Sequence, residues 1–165
     1  MLSVWLKKIR NSLGLLSLGL FVNCDAKSLE LMADKYSFFD GIEVFKVNQI
    51  TDEDNIVWVD VRPLEERQIA IIEGILTEQD FLAHHQDSNY RDAKFVAYCT
   101  IGHRSGKFAQ KMLKKGITVG NLYGGILAWV NGGRLVVDQE GKETRSVHVY
   151  GSTWNFLPEG YQAVY

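Results

Sequence analysis

Phe95-Val96-Ala97-Tyr98-Cys99-Thr100-Ile101-Gly102-His103-Arg104-Ser105 is the stretch whose reading decides the fold. Its first four residues form an unbroken apolar run, short and β-prone, as a strand buried on both faces requires. Beyond it, Phe108, Ala109, Met112 and Leu113 recur at helical spacing, with Lys107, Lys111 and Lys114 on the opposite face. Cys99 therefore falls where a buried strand ends, in a tight turn that opens a helix. Gly102 suits such a turn, which needs a positive φ or close backbone approach.

That position sets the chemistry. Most free cysteines act as small buried hydrophobes. A loop wrapped around a helix N-terminus instead aims backbone N–H groups inward, and the helix dipole favours negative charge there. Arg104 adds a permanent cation with parallel donors. Surroundings of this kind favour the thiolate over the thiol, so Cys99 reads as a nucleophile.

Working outward, residues 56–59 are a second buried-type strand, ending in Asp60-Val61-Arg62-Pro63. Pro63 stops the strand and keeps Arg62 extended. Open α/β sheets build their sites outside the carboxyl ends of strands, so Asp60, Arg62 and Cys99 point to one crevice. Arg62 belongs either to that crevice or to a surface ion pair. Residues 42–47 form an earlier strand, preceded by a short helix that Ser28 caps and that runs to Lys35. Thr77, with Asp80 three residues on, starts a helix that carries Phe81 and Leu82 inward. The helix after Cys99 covers 105–115, with Gly116 as its stop. A strand over 117–122, a turn at Gly124-Gly125 and a helix over 126–130 follow, the last bringing Trp129 into the core. Alternating strands and helices with buried apolar strands define an α/β fold with a mainly parallel sheet.

The tail is structured. Residues 135–138 and 145–150 read as a β-hairpin about a turn at 139–142, while Trp154, Phe156, Leu157 and Tyr161 cover part of the domain. His148 reads as a surface residue. His84 and His85 face different ways on a helix and suit a frayed surface end better than a metal.

The rest of the sequence bounds the answer. The chain has 165 residues, 46% hydrophobic, enough for one domain with a core of useful size. A net charge of −2 gives no footing for nucleic acid. Cys24 and Cys99 are the two cysteines, too few for a disulfide framework. Lys7, Lys8 and Arg10 precede an apolar stretch over 13–22 that is too short to span a membrane comfortably. Residues 1–26 read as a leader or membrane tether, implying export. The alternative is an amphipathic helix packed on the domain or a partner, in a cytoplasmic protein. The core domain then covers 27–135, and 136–165 is an extension packed on it.

Asp60-Val61-Arg62, Glu66, Gly74, Cys99-x-x-Gly102-x-Arg104-Ser105 and Gly124-Gly125-Ile126-x-x-Trp129 together resemble the rhodanese domain, over roughly residues 40–135. The resemblance implies a parallel sheet with helices on both faces and a sulfurtransferase that works through a Cys99 persulfide. Thiosulfate is the model donor; cyanide or a thiol is the acceptor, with a protein donor or acceptor as a further partner. Thr100, Ile101, Gly102, His103, Arg104 and Ser105 form the cradle, with Arg104 forking onto the sulfonate. Asp60 anchors the loop rather than catalysing, and Arg62 supports it. His103 either contacts the leaving sulfite or, as favoured, projects into water. No cofactor or metal is called for, since the transferable sulfur resides on the protein. Residues 70–75, Ala-Ile-Ile-Glu-Gly-Ile, depart from the family by lacking its usual His and Pro.

Two alternatives stay open. One is a sulfur-carrier or regulatory module without free-standing activity. The other is a cysteine-based phosphatase or arsenate reductase on the same fold. Those enzymes resemble Cys-x5-Arg, whereas only Thr100, Ile101, Gly102 and His103 separate Cys99 from Arg104. The shorter loop favours a single sulfur atom over a tetrahedral oxyanion.

Overall fold

The computed structural model describes residues 23–51 and 53–165. Five parallel strands build the central sheet: β1 (Val44–Phe45), β2 (Ile56–Asp60), β3 (Leu76–Thr77), β4 (Lys94–Tyr98) and β5 (Gly120–Leu122), in the spatial order β1-β5-β4-β2-β3. The helices are α1 (Asn23–Tyr36), α2 (Leu64–Arg67), α3 (Glu78–His84), α4 (His103–Leu113) and α5 (Gly125–Asn131). A parallel sheet needs cover on both faces, and the strands alternate accordingly. Trp58, Val96, Tyr98 and Leu122 pack with Ile126, Trp129 and Val130 of α5 on one face. Val59 and Ala97 pack with Phe81 of α3 and Phe108, Ala109 and Met112 of α4 on the other. Trp58 and Trp129 meet edge to face, ring centroids 5.0 Å apart, the arrangement their quadrupoles prefer.

The register of β2 against β4 pairs Asp60 with Tyr98. The two strands therefore end level, and the loops that leave them meet. Thr77 caps α3 in a reciprocal box: its hydroxyl accepts from the Asp80 amide at 3.1 Å, and the Asp80 carboxylate accepts from the Thr77 amide at 3.3 Å. α4 starts at His103, two residues earlier than its apolar periodicity indicated.

The extension adds β6 (Val136–Val137), β7 (Glu143–Thr144), β8 (Ser146–His148) and β9 (Gln162–Val164). A C-terminal hairpin is present, but its second arm is β7 rather than 145–150. Residues 146–148 leave it to pair in parallel with β9. Alternation of Val147 and Val149 reports burial on one side and does not choose the pairing partner. Ile71 and Val137 bridge the hairpin to the segment after α2 through two backbone hydrogen bonds.

Other expectations are corrected. The first helix begins at Asn23, so Ser28 lies inside it instead of capping it. The strand expected over 42–47 is two residues long and passes into a 3-10 turn at Val47–Gln49. Leu82 is exposed while Phe81 is fully buried, because the short α3 turns one apolar side inward. His148 is half-buried. His84 pairs with Asp87 at 3.2 Å, and the His85 ring turns back on the Phe81 carbonyl at 3.1 Å. The leader or tether reading of residues 1–26 falls mostly outside the described residues, which begin with residue 23 at the start of α1. Among those described, no helix is long and apolar enough to cross a membrane.

Phe81 is the test of the α3–α4 face, since it touches Phe95 and Phe108 edge to face at 4.9 and 5.6 Å. Phe81→Ala is expected to destabilise the protein by about 3–5 kcal/mol through lost burial and a residual cavity, read as the change in urea midpoint.

Candidate active site

Four residues, Cys99 to Gly102, connect β4 to α4. The turn is possible because Gly102 sits at φ +98°, a left-handed conformation open to glycine and strained for L side chains. Its backbone also approaches the Ser37 side chain so closely that a Cβ would collide with it. The result places Cys99, 1% exposed, under the first turn of α4. Its Sγ accepts a hydrogen bond from the Gly102 amide at 3.2 Å and one from the Ser105 hydroxyl at 3.5 Å. Both donors favour negative charge on that sulfur.

The loop is braced from three sides. The Cys99 and Thr100 carbonyls accept from the Ile126 and Leu127 amides at the N-terminus of α5, at 2.9 and 3.3 Å. Ser37, fully buried just past α1, donates to the Ile101 carbonyl at 3.0 Å and accepts from the Gly124 amide at 3.0 Å. Asn121 on β5 donates to the carbonyls of Ser37 and Gly102 at 2.7 and 2.9 Å. Buried backbone carbonyls need such partners. Gly125, at φ +57°, lies so close to the Cys99 carbonyl that any side chain would overlap it.

Glu66 is the residue that sequence reasoning left without a role. It reaches from α2 and accepts from both outer nitrogens of Arg104, at 2.6 and 2.7 Å, and from the Thr100 hydroxyl at 3.1 Å. Arg104 also donates to the Thr100 hydroxyl at 2.9 Å. Three of the guanidinium's five donors are thereby used within the loop, and its charge also acts on the Cys99 sulfur. The expected fork onto a sulfonate is thus turned onto Glu66. Burial alone pushes the Glu66 carboxyl up, but Arg104, Arg62 and Thr100 reverse this and hold it below its ordinary value of 4.5. Burial works against the Arg104 charge too, and Glu66 and Cys99 overcome it, so its pKa is raised.

Asp60 and Arg62 stand behind the loop and do not line the cleft. Arg62 is 1% exposed, so a surface ion pair is excluded. It holds Asp60 at 2.7 Å and donates to the Ala70 carbonyl at 2.7 Å. Tyr98, the residue before Cys99, donates its hydroxyl to Asp60. Asp60 is thus tied to the end of β4, the position an anchor of the loop would occupy. Burial lowers the affinity of Arg62 for its proton, and Tyr98, Asp60 and Glu66 more than restore it.

A cleft of about 260 Å³ opens above Cys99, walled by Tyr36, Ile101, His103, Arg104, Tyr150 and Trp154. His103 does not project freely into water. Its ring meets Tyr36 edge-on at 5.5 Å and Phe39 at 6.0 Å. Burial, then Lys107 and Arg104, lower its pKa and favour the neutral ring. The cradle residues 99–105 are therefore brought together, with Ser37, Glu66 and Asn121 as supports. Glu66 stood in the family motif; Ser37 and Asn121 carry no local signal, because their partners lie far off in sequence.

Comparison with known proteins agrees with this architecture. The family model of the rhodanese-like domain matches residues 45–132, more than half of the chain. The chain belongs to the rhodanese-like family. Among solved structures it is similar to a thiosulfate sulfurtransferase from Pseudomonas aeruginosa, at 16% identity and a TM-score of 0.53. That match covers 72% of this chain and 23% of the other, so this chain spans under a quarter of that protein's length. A rhodanese-related protein from Thermoplasma volcanium matches at 20% identity and TM-score 0.47, over 58% of this chain and 97% of its own. A protein of unknown function from Rhodopseudomonas palustris, described as a possible tyrosine phosphatase, matches at 24% and 0.48, over 67% and 92%. Likeness at these identities concerns the fold. Comparison with curated proteins returned no match.

The Glu66–Arg104 pair predicts a pH signature. A carboxyl held below 4.5 in the fold contributes stability that is complete above that value and is lost as pH falls through the folded value. Glu66→Gln should destabilise by about 2 kcal/mol near neutrality, less than a fully buried pair because Arg104 is a third exposed. The gap between wild type and variant should close below pH 4.5, read as thermal midpoints across an acid series. A gap that does not change with pH would exclude the ion pair as its source.

Proposed function

We propose that the protein is a sulfurtransferase that carries sulfane sulfur on Cys99. The observation that supports this best is the small, donor-lined loop: Sγ is buried and faces the Gly102 amide and the Ser105 hydroxyl, and four residues separate Cys99 from Arg104. In the first half-reaction the Cys99 thiolate attacks the outer sulfur of a donor such as thiosulfate. The new S–S bond forms as the donor's sulfur–sulfur bond breaks, and sulfite leaves with that electron pair. Cys99 is left as a persulfide anion. In the second half an acceptor, cyanide or a thiolate, attacks the terminal sulfur, and the Cys99 thiolate is released as leaving group. This is double-displacement covalent catalysis.

The donors on Sγ stabilise the attacking and leaving thiolate, and one well-aimed donor of this kind is worth about 3–4 kcal/mol. Arg104, held by Glu66, keeps a positive charge near the sulfur through both halves. The His103 ring, set against Tyr36 and Phe39, suits a wall of the cleft. A narrow four-residue spacing fits one sulfur atom better than a tetrahedral phosphoryl group, which favours sulfur transfer over phosphatase chemistry.

The test is intact mass after incubation with excess thiosulfate. Wild type is expected to gain one sulfur atom, which cyanide then removes with formation of thiocyanate, while Cys99→Ser gains none. Wild-type protein that stays unmodified by thiosulfate and by every other sulfane-sulfur donor, yet has Cys99 protected from alkylation by oxyanions, would overturn sulfur transfer.

A further inference from the structure

Three aromatic residues in the walls of the Cys99 cleft come from outside the family-matched stretch. Tyr36 is the last residue of α1, and Tyr150 and Trp154 belong to the C-terminal extension. Tyr36 and Trp154 meet edge to face at 5.5 Å, and Tyr36 meets His103 in the same way. Below them Leu29, Ile101, Leu127 and Val149 form a buried apolar cluster that Tyr36, Trp154 and Phe156 pack against. Two segments remote in sequence thus converge to place aromatic surface over a single thiol.

Charge in the cleft points the same way. Among the described residues that line the cleft, Arg104 alone has a permanent charge, and that charge already faces the Glu66 carboxylate and the Cys99 sulfur. The neutral form of His103 is favoured by its burial and by its cationic neighbours. Among the described lining residues an inorganic dianion meets no unmatched cation. A donor with one charge, carried at its sulfur end, and an apolar remainder matches both the loop and the walls. The cleft of about 260 Å³ lies just under the usual ligand-pocket range of roughly 300–1,000 Å³, which suits a small organic group.

From this geometry we infer that the sulfur donor is a small organic sulfane-sulfur compound, R–S–S⁻ or R–SO2–S⁻, whose apolar R group lies against Tyr36 and Trp154. The inference rests on the Cys99 persulfide reading and names the substrate class for it. With a thiosulfonate, the Cys99 thiolate attacks the terminal sulfur, the sulfur–sulfur bond breaks, and the sulfinate R–SO2⁻ leaves with the electron pair. With an organic persulfide the thiolate R–S⁻ leaves instead. Either route ends at the same Cys99 persulfide, and no oxidant or reductant is consumed.

The experiment uses the full chain and a series of alkanethiosulfonates from methane to butane, together with benzenethiosulfonate and thiosulfate, with cyanide as the common acceptor. In wild type, kcat/KM should rise about fourfold for each methylene buried, as transfer of apolar area dictates. Every organic donor from propane upward, and benzenethiosulfonate, should exceed thiosulfate by at least about tenfold. In Trp154→Ala the chain-length slope should flatten and the benzenethiosulfonate-to-thiosulfate ratio should fall about tenfold, with Trp154→Phe restoring most of it. The substrate series in wild type needs no variant to fold. A flat series, or thiosulfate as the best donor, overturns the organic-donor inference while leaving the Cys99 persulfide in place. Absence of turnover and of added sulfur mass with every donor overturns the persulfide reading, and this inference with it.

Discussion

Glu66 reaches across from α2 and closes Arg104 and Thr100 into one hydrogen-bonded knot. The rest of the site depends on that contact. A carboxylate with 5% of its side chain exposed has to be paired, and a bidentate guanidinium is the partner with matching geometry. Pairing fixes the Arg104 side chain in the wall of the cleft, where its charge acts on Cys99. Thr100, held from both sides, cannot swing, and the peptide that follows Cys99 is held with it. The thiol is therefore presented by a loop whose Thr100 hydroxyl and whose carbonyls from Cys99 to Gly102 are already hydrogen-bonded.

Behind this knot lies a second one, built from Asp60, Arg62 and Tyr98. It joins the ends of β2 and β4 at the level where their register brings them side by side. Burying three polar side chains in a row costs desolvation energy that an apolar packing would not. What the arrangement supplies is a fixed position for the residue before Cys99. The positive charge of Arg62 also reaches Glu66, so the two knots share one electrostatic field.

The segments flanking the matched stretch do different work. α1 contributes Ser37 beyond its end as a brace and Tyr36 as a wall, and the extension contributes Tyr150 and Trp154. The central parallel sheet and its loop fall within the rhodanese-like match, while Tyr36, Tyr150 and Trp154 reach the thiol from segments on either side of it.

Local chemistry made much of this legible from residue order. The strand–cysteine–helix pattern, the glycines at 102 and 124–125, and the capping box at Thr77 and Asp80 are all set by near neighbours. Each needs only a backbone preference or a spacing that a linear reading can see. Glu66 was visible as a motif position yet not as the partner of Arg104, because 38 residues separate them. Arg62 read equally well as exposed, since nothing in Asp60-Val61-Arg62-Pro63 tells which face of the sheet will be covered. The hairpin was placed with the wrong second arm because alternation of Val147 and Val149 satisfies any partner that buries them. By itself, then, the sequence determined the class of fold and the presence of a cysteine at a helix-opening turn, since both follow from periodicity and local conformation. Only the tertiary structure decided that Ser37, Glu66 and Asn121 would hold that turn and that Tyr36 and Trp154 would stand over it. Those pairings are made by long-range packing of the sheet, and no local preference encodes them.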